Sequence, residues 1–209
     1  MLRRDNYWIM ILGSAFMFLT VWFGSYWTGH EPELPISTGP ISNFATGNAN
    51  STWTAQTLFG GKISAVVYAS AKCEDNCKKS VSQMAKLAKI FKNDPKFQLV
   101  AVSDQSESQR VELQSSLIAA DGSMLSAELV ILGPVMGRRM VVDELGIATY
   151  SGETATSDRL AIVDDQGKVR GSYSIDDSNE MIKFQNAIYN LLRKMQASLE
   201  QGSKTNRKS

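Results

Sequence analysis

Histidine is almost missing from this chain: of 209 residues only His30 is one. A serine–histidine hydrolase is thereby excluded, because the stretch that could form a domain holds no imidazole to act as base. A surplus of one charge is missing too. The net charge of +1 gives no electrostatic case for nucleic acid or an acidic partner, and no nucleic-acid motif is present. Glycine-rich phosphate loops, EF-hand spacing and internal repeats are also absent. Asp164, Asp165, Asp176 and Asp177 therefore read as turn and cap residues rather than a calcium site. Cysteine is scarce as well, with only Cys73 and Cys77.

What is present begins with a run, Tyr7 to Trp27, that carries no charge. At about 1.5 Å per residue it makes a helix of about 31 Å, the thickness of a bilayer's hydrocarbon core. Tyr7, Trp8, Tyr26 and Trp27 stand at its two ends, as an aromatic belt would. The run exceeds the apolar region of a signal peptide and no A-x-A site follows it, so an uncleaved anchor is expected over 7–27. Arg3 and Arg4 precede it, and Glu31 and Glu33 follow it. The positive-inside rule then puts residues 1–6 in the cytoplasm and the rest beyond the membrane. The short stretch before the anchor points to a bacterial inner membrane with a periplasmic domain. The alternative is a mitochondrial inner membrane, with the domain on the intermembrane-space side.

Residues 28–52 are rich in Gly, Pro, Ser, Thr and Asn and read as a flexible tether, with Pro32, Pro35 and Pro40 keeping its first part extended. His30 lies there as a juxtamembrane residue. Residues 53–195 then alternate in pattern. Apolar, β-rich runs predict strands at Ile63–Ala69, Phe97–Val102, Glu128–Leu132, Leu160–Val163 and Val169–Ser174. Helical spacing predicts helices at Lys78–Phe91, Glu107–Ala120, Gly137–Leu145 and Asp176–Met195. Asp164-Asp165-Gln166-Gly167 reads as a hairpin turn between the last two strands. Residues 196–209 read as a polar, basic tail. A β-α-β unit, then a β-hairpin and a closing helix, is the α/β layout of a thioredoxin-like three-layer domain, here preceded by one transmembrane helix.

The cysteine pair sits where that layout keeps its chemistry, between the first strand and the helix after it. Cys73-Glu-Asp-Asn-Cys77 places the sulfurs at i and i+4, on one face of a helix. A helix N-terminus favours the thiolate. A purely structural bridge here closes a very short loop and adds only about 2 kcal/mol. Thiol–disulfide exchange is the second reading, with Cys73 attacking and Cys77 resolving. Binding of Cu(I) by the two thiolates is the third. Glu74 and Asp75 oppose thiolate formation, whereas Lys72 and Lys78 favour it. Asp104, after the second strand, is a candidate for proton transfer or for capping the next helix, with Ser106 as its rival.

The stretches GGKISAVVYASAKCEDNC and SDRLAIVDDQGKVRGSYSIDD resemble the Sco/SenC family. Members carry one N-terminal anchor and a thioredoxin-like domain that serves cytochrome c oxidase assembly, as a copper chaperone or a thiol reductase for the CuA centre. The resemblance implies that Cys73 and Cys77 are the working pair, with copper as the implied cofactor and an oxidase copper subunit as the transient protein partner. Two departures stand out. Glu74 and Lys78 occupy the places after the cysteines where the family has Pro, and the family's third copper ligand, a His, falls at Thr156. Without that imidazole, Met136 and Met140 are the soft candidates for a third ligand, against core packing as their ordinary role. Asp158 and Thr156 offer hard oxygens that suit Cu(I) poorly. The expected activity is therefore a thiol–disulfide redox protein. A Cu(I) chaperone with a nonstandard third ligand and a non-catalytic accessory subunit are the alternatives.

Overall fold

The structure, a computed structural model, describes Ile41 and residues 54–73, 75–119, 122, 124–152 and 154–206. The expected anchor at 7–27, the residues before it, the tether apart from Ile41, and with them His30, lie outside the described residues; so do Glu74 and the last three residues of the tail. Among the described residues no helix is long and apolar enough to cross a membrane.

The first element is a short helix, α1 (Ala55–Phe59), closed by a capping box between Thr54 and Thr57. Strand β1 (Ile63–Tyr68) follows, every residue of it buried. Helix α2 (Asp75–Phe91) leads to β2 (Phe97–Ser103). A 3-10 turn, Glu107–Gln109, runs into α3 (Arg110–Ser116). After β3 (Glu128–Ile131), helix α4 (Pro134–Arg139) widens into a π turn over Met140–Glu144. A separate two-stranded ribbon, β4 (Thr149–Ser151) and β5 (Thr154–Thr156), precedes the hairpin β6 (Arg159–Val163) and β7 (Val169–Ser174). Helix α5 (Ser178–Asn206) closes the domain.

The main sheet runs β3-β2-β1-β6-β7. Strands β1, β2 and β3 pair parallel, whereas β6 is antiparallel to β1 and β7 to β6. Alternation along the strands divides the core in two. Val66, Tyr68, Val100, Val102, Ala161 and Val163 form one cluster with α1 and with Met140, Val141 and Leu145. Helices α2 and α5 lie against β1, where Ile63, Ala65 and Val67 are buried. The result is the three-layer α/β architecture expected.

Boundaries moved where local chemistry outweighs apolar periodicity. Helix α2 starts at Asp75 rather than Lys78. An acidic residue suits a helix N-terminus, but the apolar stripe that marks the helix begins only at Val81. Helix α3 stops at Ser116 instead of Ala120, because Ile118 forms a bridge with Met124 and the Leu125 N–H donates to Leu117 O at 2.9 Å. The helix expected from Gly137 begins at Pro134, whose ring suits a first helical turn. Helix α5 runs to Asn206, past the stripe's end at Met195, so most of the expected tail is helical. Its start is set by Asp177, which accepts the N–H groups of Asn179 and Glu180.

Candidate functional site

The parallel strands end at one edge of the sheet, and four segments meet there. Ser70 to Cys73 follows β1, Asp104 and Gln105 follow β2, and Gly133 to Gly137 follows β3. Because β6 runs antiparallel to β1, its start at Arg159 brings Ser157 and Asp158 to the same edge.

Backbone and side-chain bonds hold the cysteine loop to β2. The Ala69 N–H donates to Val102 O at 2.8 Å. The Ala71 N–H donates to Gln105 Oε1 at 2.8 Å, and Gln105 Nε2 donates to Ser70 Oγ at 3.3 Å. Gln105 is thus the residue that clamps the loop.

Cys73 and Cys77 form a disulfide with their Cα atoms 5.2 Å apart. The two sulfurs are unequal. Cys77 lies in the first turn of α2 and is 7% exposed. Cys73 precedes the helix and is half-buried. Its Sγ lies 3.6 Å from Ser116 O at the end of α3. A disulfide sulfur has no proton to give, but a reduced Cys73 thiol at that place can donate to the carbonyl. Lys72, Asp75 and Lys78 are exposed around the pair.

Asp104 does not cap a helix. Ser106 takes that place before the 3-10 turn, its N–H donating to Gln109 Oε1 at 3.4 Å. Asp104 instead accepts two phenols: Tyr68 OH donates to Oδ1 at 2.7 Å and Tyr150 OH donates to Oδ2. Burial, and then the adjoining carboxylate, raise both tyrosines above their ordinary range. The Arg138 guanidinium, 4.2 Å over the Tyr150 ring, opposes this for Tyr150. Gly137 presses on Asp104 so closely that an added Cβ would lie 2.3 Å from Asp104 Cα. The cluster ties β1, β2, α4 and the β4–β5 ribbon together beside the cysteine loop.

The remaining candidates sit elsewhere. Met140 is buried in the cluster that holds Val66 and Tyr68, and Met136 packs against that cluster, whose members include no residue of α2. Thr156 pairs its hydroxyl with Thr149 at 3.1 Å. Asp158 is half-buried, and its carbonyl accepts the Ile175 N–H at 2.9 Å. Asp176 pairs with Lys79 at 3.0 Å, and Asp164 with Arg170. Asp165 O accepts the Gly61 N–H at 2.9 Å. Among the described residues no group of three or more His, Cys, Asp or Glu side chains could hold a metal ion. Gln105, Tyr68, Tyr150 and Ser116 were not among the expected site residues. Only Tyr68 carries a signal, as the one phenol in an apolar strand.

No family model and no curated relative matches the chain. Solved structures share its fold at low identity. A protein of Chlorobium tepidum assigned as the thiol:disulfide interchange protein DsbE is 14% identical over 76% of this chain and 99% of its own, with a TM-score of 0.53. ScoI of Arabidopsis thaliana with copper bound is 12% identical over 75% and 98%, at 0.51. The C-terminal domain of a protein of Bacteroides thetaiotaomicron assigned as a thiol-disulfide oxidoreductase is 16% identical over 74% and 95%, also at 0.51. These likenesses show a mixed α/β, thioredoxin-like fold.

Proposed function

We propose that this chain is a membrane-anchored thiol–disulfide redox protein, a divergent relative of the Sco/SenC family that lacks the copper-binding His. In this reading residues 7–27 anchor it in a bacterial inner membrane and the domain works in the periplasm. The observation that carries the proposal is the unequal Cys73–Cys77 disulfide at the start of α2. Cys73, the more exposed sulfur, attacks a partner's disulfide and forms a mixed disulfide, releasing one partner thiol. Cys77 then attacks Cys73 Sγ and releases the second. Two electrons and two protons pass to the partner, and the Cys73–Cys77 bond closes. The cysteines of an oxidase copper subunit are the partner chemistry this reading favours.

The copper-bound ScoI of the same fold supports a second reading, a Cu(I) chaperone. Reduced, Cys73 and Cys77 supply two soft thiolates and so fit a two-coordinate Cu(I) site. They do not complete a Cys2His set, since residues 53–209 hold no His, Met140 belongs to the core cluster, and Met136 packs against it. Titrating the reduced full chain with Cu(I) against a competing chelator, without oxygen, separates the readings. The redox reading expects the chelator to keep the metal. Tight one-to-one binding that is lost in Cys77→Ser would make the chaperone the function.

A further inference from the structure

Ser80 is fully buried on α2, and its Oγ has no hydrogen-bond partner among the described residues. Three other serines in or at the end of helices satisfy themselves on the preceding turn. Ser115 Oγ donates to Val111 O at 2.9 Å, Ser116 Oγ to Leu113 O at 2.7 Å and Ser198 Oγ to Met195 O at 2.8 Å. A buried hydroxyl left unmatched costs about 1–3 kcal/mol, so its presence calls for a cause. Its position supplies one. Cys77, Ser80, Val81 and Met84 share the buried face of α2. Residues three apart are neighbours on a helix, and side chains lean toward the N-terminus, so Ser80 leans toward Cys77.

We propose that Ser80 is a positioning residue that hydrogen-bonds Cys77 only in the reduced protein. While the disulfide stands, Cys77 Sγ is tied to Cys73 and Ser80 has nothing to bond. Reduction breaks the S–S bond and adds two electrons and two protons. Cys77 Sγ is then free to turn about χ1, and Ser80 Oγ–H donates to it. The dithiol gains a bond that the disulfide lacks, which makes the couple more oxidising than it would be with Ala at this place. The resolving cysteine is held on the helix face instead of drifting.

The purpose of this device rests on the thiol-exchange reading, but its test does not. The full chain in detergent is equilibrated with reduced and oxidised glutathione; two glutathione thiols supply the electrons and become one glutathione disulfide. Ser80→Ala should shift the equilibrium toward the Cys73–Cys77 disulfide by about three- to tenfold, the worth of one net hydrogen bond. Ser80→Thr, which keeps the hydroxyl, should stay within about twofold of the parent. The stability of the oxidised form should not fall in Ser80→Ala, since no bond is lost there. An unchanged equilibrium in Ser80→Ala, or an equal shift in Ser80→Thr, would overturn the proposal. Failure of Cys73 to react with a partner disulfide would instead sink the function and leave this result standing.

Discussion

Replacing Gln105 by Ala should free the cysteine loop while leaving the sheet intact. Gln105 Oε1 accepts the Ala71 N–H at 2.8 Å, a bond worth about 1 kcal/mol net. Its Nε2 donates to Ser70 Oγ at 3.3 Å, beyond the favoured length, and adds about half as much. Ala71 is half-buried, so water recovers part of the loss. The expected cost of opening the loop therefore drops by about 1–1.5 kcal/mol, or about five- to twelvefold in the local opening constant. Amide hydrogen exchange on the oxidised full chain reads this directly. The Ala71 amide should exchange faster by that factor, while the Ala69 amide, bonded to Val102 O, should hardly change. Gln105→Glu keeps an acceptor for Ala71 and should restore most of the protection. Equal acceleration at Ala69 and Ala71 would refute the clamp, because it would mean that the whole edge had loosened.

Other perturbations probe the frame around the site. Tyr68 and Tyr150 have raised pKa values in the fold, so the stability they contribute is complete below the ordinary phenol range near 10 and is lost as pH rises above it. Tyr68→Phe should flatten that alkaline decline in urea unfolding measured between neutral and strongly alkaline pH; an unchanged slope would remove Tyr68 from the account. Asp164 is 1% exposed and accepts the Gln166 and Lys168 N–H groups and the Arg170 guanidinium. Asp164→Ala should cost about 2–3 kcal/mol in urea unfolding by removing those three bonds, with water reaching the part-exposed Arg170 guanidinium, and a loss below about 1 kcal/mol would show the hairpin turn to be held by other means.

The parts legible in the sequence are those set by short-range pattern. The run ISAVVY announced β1, and the Asp-rich stretch before Gly167 announced the β6–β7 turn, where Gly167 has φ 75°. The place of the cysteines followed from their position between a strand and a helix. What stayed hidden depends on distant partners. Asp104 has the spacing of a cap, yet two tyrosines from other segments claim its carboxylate. Gln105 looks like any polar loop residue until the fold brings Ala71 to it. The β4–β5 ribbon is too short and too polar to leave a periodic signal. Ser80 reads as one polar residue in a helix, and only its burial without a partner sets it apart.

Trapping the mixed disulfide follows the sulfurs themselves. The reduced full chain is mixed with a peptide closed by one disulfide, and adducts are located by mass spectrometry. Cys77→Ser should accumulate the peptide on Cys73, whereas the parent should release it as a dithiol and end with the Cys73–Cys77 bond closed. No adduct on Cys73, or an adduct forming as fast on Cys77 in Cys73→Ser, would contradict the assignment of Cys73 as the attacking thiol.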